Sequence, residues 1–364
     1  MRILMTTDDV GGVWTYALDL TRALSARGVE VHLAVLGEEP DGGRRAQLAS
    51  AGAQAFHVRR TSLEWMDDPW DEVDATGRWL EALARAVRPD LVHVNSYADA
   101  ARDFGAPVLC VAHSCVLSWW RAVEEEPAPA RYAEYRARVT RGLDAAEVVV
   151  TPTAAMLTEL RRNYGFDTQA MVIPNGRRPG LFHPGPKEPL VAGVGRLWDK
   201  AKNLSLLCEA AASLPWRVVL AGEAEHPGGG VASFDGVGVA GRLPERELAG
   251  LLSRAAILCA PARYEPFGLA ALEAALSGCA LVLGDIPSLR EVWGDAAVYV
   301  DPWDPEALAG KLNLLIEDRG ARRSLQGAAW RRAASFTAGA MAERYLAVYG
   351  ELTARAPAPT GSRR

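Results

Sequence analysis

The chain has 364 residues, a formal net charge of −5 at pH 7 and 49% hydrophobic residues. That length corresponds to roughly two domains of ~150 residues, each with its own core. Charged residues make up 23% of the chain and form no polybasic arm, which disfavours both a disordered chain and a dedicated nucleic-acid binder.

Cysteine usage and hydropathy bear on the cellular compartment. The five cysteines are scattered along the chain without a CxxC pair, as is typical of reduced thiols in the cytoplasm. No apolar run reaches the ~20 residues of a membrane span, and a predicted strand opens the chain with no signal peptide before it. We therefore expect a cytoplasmic protein without a transmembrane segment.

In the first half of the chain, short apolar runs alternate with amphipathic segments of helical length. Residues 2–6 predict a strand, and residues 13–26 repeat apolar side chains at helical spacing until Gly28 ends the helix. Further buried strands are predicted at residues 29–36, 53–58, 91–94, 107–112 and 147–151. Such runs, apolar on both faces and separated by helices, are typical of a parallel sheet covered by helices.

Residues 175–189 interrupt this alternation. They hold four prolines and three glycines in fifteen residues, which predicts an interdomain linker because proline removes backbone donors. Strands are then predicted at residues 190–195, 217–221, 236–240, 256–260, 280–283 and 297–300. The pattern predicts two doubly wound α/β domains, residues 1–174 and 190–335, with a ligand-binding cleft between their strand ends. A final helix is predicted over residues 336–354, before a disordered tail at residues 355–364.

One candidate ligand site lies where a predicted strand leads into a helix, at residues 256–277. The free backbone amides at the start of this helix, which form a positive N-terminus for phosphate or sugar oxygens, belong to Phe267, Gly268 and Leu269. Glu265 and Glu273, eight residues apart, are suited to accept hydrogen bonds from two parts of one polyhydroxylated ligand. The alternative is a surface helix with two solvated glutamates.

A second candidate site is the loop that follows the strand predicted at residues 190–195. It carries Arg196, Lys200 and Lys202. The chain has only four lysines, and its other basic residues are arginines, so two of the four lysines lie in this loop. A retained lysine indicates a compact charge of the kind that binds phosphate, with a solvated loop as the alternative. Trp198 stands where a dinucleotide-binding fingerprint requires its third glycine, so a nicotinamide-dependent dehydrogenase is disfavoured.

Two glycines and two histidines lie at strand ends in the first half. Gly11 and Gly12 follow the first strand, where they permit close approach of a ligand or merely a tight turn. His113 ends a buried strand, and His93 and Asn95 end the preceding strand in the same way. At this position His113 would face the cleft, and the alternative is a structural histidine. The sequence holds no nucleophile elbow, P-loop, HExxH motif or metal-spaced Cys/His cluster, so no metal site is predicted.

Taken in order along the chain, these motifs resemble those of the retaining, nucleotide-sugar-dependent glycosyltransferases of family 4 (glycosyl transferases group 1). The matching segments are Gly11-Gly12, Ile173-Pro-Asn-Gly176, Gly195-Arg-Leu…Lys-Asn203, Glu265-Pro-Phe-Gly-Leu…Glu273, Gly278-Cys-Ala, Ile286-Pro-Ser-Leu-Arg-Glu291 and Phe336-Thr…Tyr345. The resemblance implies the GT-B architecture, in which two Rossmann-like, doubly wound α/β domains face each other across a cleft. It also implies that the C-terminal helix packs back on the first domain.

The resemblance further implies roles for individual residues. Glu273 would bind the donor ribose, while Glu265 and the amides of residues 267–269 would hold the donor sugar and the distal phosphate. Arg196 and Lys202 would offset the charge of the diphosphate leaving group. One residue is inserted relative to the family spacing, so Lys200 remains a contender for the second position. The other implied positions are Leu243 at the base, Gly12 at the phosphates and His113 at the donor sugar and acceptor.

The reaction implied by the resemblance retains the anomeric configuration and uses no metal or cofactor besides its donor, a nucleoside diphosphate sugar. The acceptor would be a glycan, a lipid-linked molecule or a small molecule, and contact with a membrane surface stays open. First-domain acceptor candidates are Trp14, Asn95 and Tyr97, with Tyr16, Trp119 and Trp120 as further platform or core residues. The alternatives are a nucleotide-sugar epimerase or hydrolase and a nucleotide-sugar-binding protein without catalysis.

Overall fold

A computed structural model describes residues 1–225, 229–230 and 232–355. The tail that we predicted to be disordered lies, apart from Arg355, outside the described residues.

The first domain is built on a seven-stranded parallel sheet. Its strands are β1 (Arg2–Asp8), β2 (Glu30–Leu36), β3 (Ala55–Arg59), β4 (Leu91–Val94), β5 (Val108–Val111), β6 (Val148–Thr151) and β7 (Ala170–Val172). They lie in the order β3-β2-β1-β4-β5-β6-β7, so the direction of winding reverses between β1 and β4. The strand β7 is absent from the sequence prediction, since it has only three residues, all half-buried, at the edge of the sheet.

Helices cover both faces of this sheet. They are α1 (Gly12–Ser25), α2 (Gly42–Ser50), α3 (Trp70–Val87), α4 (Val116–Val123), α5 (Ala133–Ala145) and α6 (Ala154–Tyr164), with short 3-10 turns at Ala98–Ala101 and Ala130–Tyr132. The alternation of side chains along each strand separates the core into two layers. In β1, for example, Ile3 and Met5 pack on one face of the sheet and Leu4 packs on the other.

The second domain repeats the plan with six parallel strands. They are β8 (Glu188–Val194), β9 (Arg217–Ala221), β10 (Gly238–Val239), β11 (Ala255–Ala260), β12 (Ala280–Gly284) and β13 (Val298–Val300), in the order β10-β9-β8-β11-β12-β13. Its helices are α7 (Leu204–Ala211), α8 (Glu245–Arg254), α9 (Leu269–Leu276), α10 (Pro287–Trp293), α11 (Pro305–Glu317) and α12 (Arg319–Ala333), with a 3-10 turn at Gly294–Ala296. The winding reverses between β8 and β11, and the carboxyl ends of the strands at this switch point face the first domain.

The last helix, α13 (Ala338–Arg355), returns to the first domain. Its buried residues Met341, Tyr345 and Tyr349 share one core cluster with Leu20 and Leu24 of α1. This packing confirms the predicted return of the C-terminal helix.

The chain passes between the domains twice, and the two crossings lie side by side. The Arg177 amide donates to the Phe336 carbonyl at 3.0 Å, and the Ala338 amide donates to the Arg177 carbonyl at 2.9 Å. A Cβ atom at Gly176 would lie 2.2 Å from the Thr337 carbonyl oxygen, so only glycine permits this approach. The segment that we predicted as a linker is therefore tied to the return of the chain.

Candidate active site

The cleft lies between the two switch points, and hydrogen bonds cross it. Cys115 at the start of α4 donates its amide to the Tyr264 hydroxyl at 2.9 Å. Thr153 Oγ1 donates to the Pro266 carbonyl at 3.0 Å. The carboxylate of Glu291 accepts the first two amides of α6, which places a negative charge at the positive end of a helix of the other domain. These contacts hold the two domains together on either side of the predicted donor segment.

Lys202 and Glu265 form the centre of the site. The Lys202 Nζ atom lies 2.6 Å from Glu265 Oε2, and Glu265 Oε1 accepts the Gly268 amide at 3.0 Å. Gly268 has a φ of 92° and directly precedes α9. We predicted that its amide would be free, but Glu265 accepts it. The three residues line a cavity of about 20 Å³, which has room for one water molecule and not for a sugar.

The two lysines of the loop point in different directions. The Lys202 side chain is 20% exposed and reaches Glu265, whereas the Lys200 side chain is 66% exposed and pairs with Glu124. The loop is fixed at Asn203, whose side-chain amide donates to two buried carbonyls, at Pro261 and Pro302. Because of this anchor, Lys202 faces the cleft centre and Lys200 faces its rim.

Arg196 is held by a buried carboxylate that the sequence analysis missed. Its Nη2 atom lies 2.5 Å from Asp199 Oδ2, and Asp199 is 5% exposed. Burial raises the pKa of Asp199, but Arg196 and Lys202 outweigh burial and bring this pKa below its ordinary value. The remaining oxygen, Asp199 Oδ1, accepts the Ala201 amide at 2.9 Å and the Trp119 indole N–H at 3.2 Å. The spacing of three residues between Arg196 and Asp199 was the available sequence signal for this pair.

The glycine turn after β1 approaches Arg196 closely. Gly11 has a φ of 66°, and a Cβ atom there would lie 2.9 Å from Arg196 Nη1. Gly12 begins α1, and a Cβ atom there would meet Leu269 Cδ1 at 3.3 Å. Both glycines thus lie against the second domain at the predicted phosphate position, and Gly11, which we had not assigned, makes the tighter approach.

Glu273 lies on α9 with 7% of its surface exposed. Burial raises its pKa to about 7, while the nearby Arg177 opposes this shift. Two further predicted residues pack beside α9: the Phe267 ring meets the Phe336 ring edge-on at 5.6 Å, and Leu243, just before α8, lies half-buried against the same apolar cluster. Phe267 is therefore anchored in the core, and its amide makes a long hydrogen bond of 3.5 Å to Glu265 Oε1.

His113 lies two residues after the end of β5 and has a defined tautomer. Its Nε2 atom lies 2.7 Å from Asn95 Oδ1, while Asn95 donates its side-chain N–H to the Thr6 carbonyl at 2.5 Å. Since the Asn95 oxygen can only accept, His113 carries its proton on Nε2. Burial lowers the pKa of His113 to about 3, so the ring is neutral at neutral pH.

Two of the acceptor candidates are corrected by their burial. Trp14 is 7% exposed and donates its indole N–H to Gln47 at 2.7 Å. Tyr97 is 4% exposed and donates its hydroxyl to the Ser114 carbonyl at 2.6 Å. Neither ring presents an open face on which a sugar could stack, because each packs in the core of the first domain. Asn95 remains at the cleft through its contact with His113.

A larger cavity lies outside the cleft. It has a volume of about 280 Å³, lies between α4, α5 and α6, and is lined in part by Arg121, Tyr132, Arg136 and Arg162. None of the predicted site residues lines it. Three of the predicted site residues, Lys202, Glu265 and Gly268, line the smaller cavity instead.

Comparison with known proteins gives the same result for both halves of the chain. The profile described as Glycosyltransferase Family 4 matches residues 10–179, and the profile of Glycosyl transferases group 1 matches residues 182–332. A D-inositol 3-phosphate glycosyltransferase from Corynebacterium diphtheriae is 27% identical, and the match covers 94% of this chain and 90% of that protein.

Solved structures share the fold. Sucrose-phosphate synthase from Thermosynechococcus elongatus matches with a TM-score of 0.79 at 20% identity, covering 97% of this chain and 99% of that one. Anabaena Alr3699/HepE in complex with UDP-glucose matches with a TM-score of 0.77 at 18% identity, covering 97% and 100%. The fold is GT-B, as predicted, and the cleft is that of a glycosyltransferase. The chain belongs to glycosyltransferase family 4.

Among the residues that the structure describes, no helix is both long enough and apolar enough to cross a membrane.

Proposed function

We propose that the protein transfers a sugar from a nucleoside diphosphate sugar to an acceptor hydroxyl with retention of anomeric configuration. The observation that carries the proposal is the arrangement of two cations: Arg196 and Lys202 both lie close enough to the buried Asp199 to lower its pKa. Lys202 also pairs with Glu265, and the glycine turn after β1 lies against Arg196. Two cations beside a carboxylate suit a ligand with a diphosphate at one end and sugar hydroxyls at the other.

In this proposal the cations stabilise the leaving group. The bond between the anomeric carbon and the diphosphate oxygen breaks, and negative charge grows on the diphosphate between Arg196 and Lys202. The acceptor oxygen bonds to the same carbon from the face that the diphosphate leaves, and its proton passes to a diphosphate oxygen. Removing a charge aimed at the developing anion costs on the order of 10²–10³ in rate in comparable sites.

Glu265 and His113 would orient the donor sugar. Glu265 is now occupied by Lys202 and the Gly268 amide. Since the cavity beside it holds about 20 Å³, the sugar can enter only when this ion pair parts or the domains move. Lys202 would then pair with the donor phosphates, and the Glu265 carboxylate would accept hydrogen bonds from the sugar hydroxyls. His113, with its proton on Nε2 bound to Asn95, offers Nδ1 as an acceptor for a sugar hydroxyl.

We further propose that the reaction needs no metal or cofactor besides the donor, because Arg196 and Lys202 supply the charge that neutralises the diphosphate. UDP is the first nucleotide to test, since the structurally similar Anabaena protein is described in complex with UDP-glucose. The relative from Corynebacterium diphtheriae is named for D-inositol 3-phosphate, which supports a small polyhydroxylated molecule as the first acceptor to test.

Calorimetric titration tests the donor site. UDP, GDP and ADP are each titrated in chelator and in Mg²⁺, with the wild type, with Lys202→Met and with the matched control Lys200→Met. We expect one diphosphate to bind in chelator, Lys202→Met to weaken binding at least about tenfold, which is ~1.4 kcal/mol, and Lys200→Met to change it less than about twofold. Absence of binding by all three nucleotides overturns the proposal.

Turnover tests the reaction itself. Incubation of the UDP-sugar that binds with candidate acceptors, followed by NMR of the product, is expected to show the donor's anomeric configuration. An inverted product contradicts retention, and consumption of the donor at the same rate without acceptor indicates a hydrolase or epimerase instead.

A further inference from the structure

Arg177 is the centre of a buried cluster of charges where the two domains meet. It lies in the segment that we predicted as a linker, yet it is 2% exposed. Its guanidinium contacts three carboxylates from three different helices: Asp19 of α1, Glu245 of α8 and Glu273 of α9. One planar side chain therefore joins the first domain, the crossing segment and the helix that carries the predicted ribose ligand.

Each carboxylate meets a different nitrogen of the guanidinium. Nη1 binds Asp19, Nη2 lies 2.6 Å from Glu245, and Nε lies 3.0 Å from Glu273. The contact with Glu273 is an ion pair without the angle of a hydrogen bond, since the Nε–H group has no hydrogen-bond partner. Glu273 is therefore held by charge but keeps its capacity to accept hydrogen bonds from a ligand. A lysine would present its three donors from a single nitrogen, whereas the guanidinium spreads its donors over three nitrogens of a planar fork.

The neighbours of Glu273 make Arg177 necessary. Burial, Glu245 and Asp19 all favour the protonated form of Glu273, and Arg177 is the group that favours the anion. The side chain of Glu273 is only 9% exposed, so water screens these charges weakly. A carboxylate accepts two ribose hydroxyls well, whereas a protonated carboxyl has lost part of its acceptor capacity.

We propose that Arg177 is a positioning residue for donor binding, which pairs with the Glu273 carboxylate and holds it aimed at the ribose hydroxyls of the nucleotide. Because Arg177 also binds Asp19 of α1, the position of Arg177 beside Glu273 depends on how the first domain packs against the second. The inference rests on the proposed function, because it takes Glu273 as the ribose ligand, and it assigns to the linker segment a part in recognising the donor.

The test measures recognition of the ribose and not affinity alone. UDP and 2′,3′-dideoxy-UDP are titrated by calorimetry into the wild type, Arg177→Met, Glu273→Gln and Arg178→Met. Arg178 is the matched control, since it is the neighbouring arginine and also pairs with Glu245. We expect the wild type to prefer UDP by at least about tenfold. Arg177→Met and Glu273→Gln should reduce this preference to less than about twofold, and Arg178→Met should keep it.

The preference ratio separates a positioning role from a structural one. Loss of structure at Arg177 would weaken both nucleotides equally and leave their ratio at the wild-type value, which overturns the inference. If circular dichroism shows that Arg177→Met does not fold, Arg177→Lys decides: we expect a ratio of about threefold, and a full wild-type ratio overturns the inference.

Failure of the proposed function gives a different calorimetric result from failure of the inference about Arg177. If the wild type binds no nucleoside diphosphate, the donor site itself is wrong, and the inference falls with it. If the wild type binds UDP and its dideoxy form equally, the nucleotide site stands, but the inference about Glu273 and Arg177 is wrong.

Discussion

The indole nitrogen of Trp119, in the first domain, lies 3.2 Å from Oδ1 of Asp199, in the second. The other oxygen of the same carboxylate binds Arg196, the cation that we assign to the diphosphate. Docking of the first domain and orientation of this cation are therefore joined through one buried carboxylate. A hydrogen bond that forms only when the domains meet should support the reaction more than nucleotide binding.

Replacement of Trp119 by phenylalanine tests this link. The ring is kept and only the N–H donor is lost, so a hydrogen bond to a charged group disappears, worth about 1.5–3 kcal/mol. We expect kcat to fall about tenfold or more, while the calorimetric Kd for UDP changes less than about threefold. Trp120→Phe is the control, because it makes the same substitution at the neighbouring ring, which packs edge-on against Trp119 and near Tyr132. Equal losses in kcat and in UDP affinity for Trp119→Phe would contradict the link.

Two alanine substitutions separate backbone strain from contact with Arg196. Gly11 and Gly28 both have positive φ, at 66° and 79°. An alanine at either position should cost at least about 1–2 kcal/mol of folding free energy, measured by denaturant unfolding, and the cost should be larger at Gly11, whose ψ of −134° lies outside the left-handed helical region. At Gly11 the new Cβ atom would also press on Arg196 at 2.9 Å, whereas nothing lies within 4 Å of it at Gly28. We expect Gly11→Ala alone to lower kcat/KM for the donor, by at least about tenfold, and comparable kinetic losses in both variants would refute this reason.

His93 should give the protein an acid-sensitive step in stability. It is fully buried between the hydroxyls of Tyr16 and Tyr349, and burial lowers its pKa to about 3 from 6.5. The unfolded chain therefore binds more protons between these values, so this contribution is complete above pH 6.5 and is lost as pH falls. Between pH 6.5 and 5 the loss amounts to about 1.6 kcal/mol, because the unfolded histidine is already half-protonated at pH 6.5.

Comparison with His93→Gln isolates that effect. Asp8, Glu64 and Glu273 have pKa values raised to about 7 by burial, and they act in the opposite direction over part of the same range. These carboxyls are common to both proteins and cancel in the difference. Urea unfolding at pH 6.5 and pH 5 should show the stability advantage of the wild type shrinking by about 1.6 kcal/mol. A constant difference would mean that His93 does not titrate in this way.

The local elements followed from the sequence because their signals are local. The runs that became β1, β8 and β11 are apolar on both faces, as strands buried between helices must be. The prediction was poorest at sheet edges, where the strands are short: β10 is only Gly238–Val239, and β7, with three residues, was missed. The order of short motifs along the chain was enough to indicate the family and to select Glu265, Glu273, Arg196 and a lysine as candidates.

Tertiary structure decided which of the candidate side chains meet. Spacing left Lys200 and Lys202 open, and the anchor at Asn203 turned Lys202 towards Glu265. The sequence by itself therefore determined the strands, the helices and the set of chemically suitable residues, since these depend on neighbours along the chain. Only the folded chain buried Tyr97 in the core and brought Arg177, from a segment rich in proline and glycine, against carboxylates of three helices. The physical reason is that burial and charge pairing are set by distant segments, whose positions no local pattern contains.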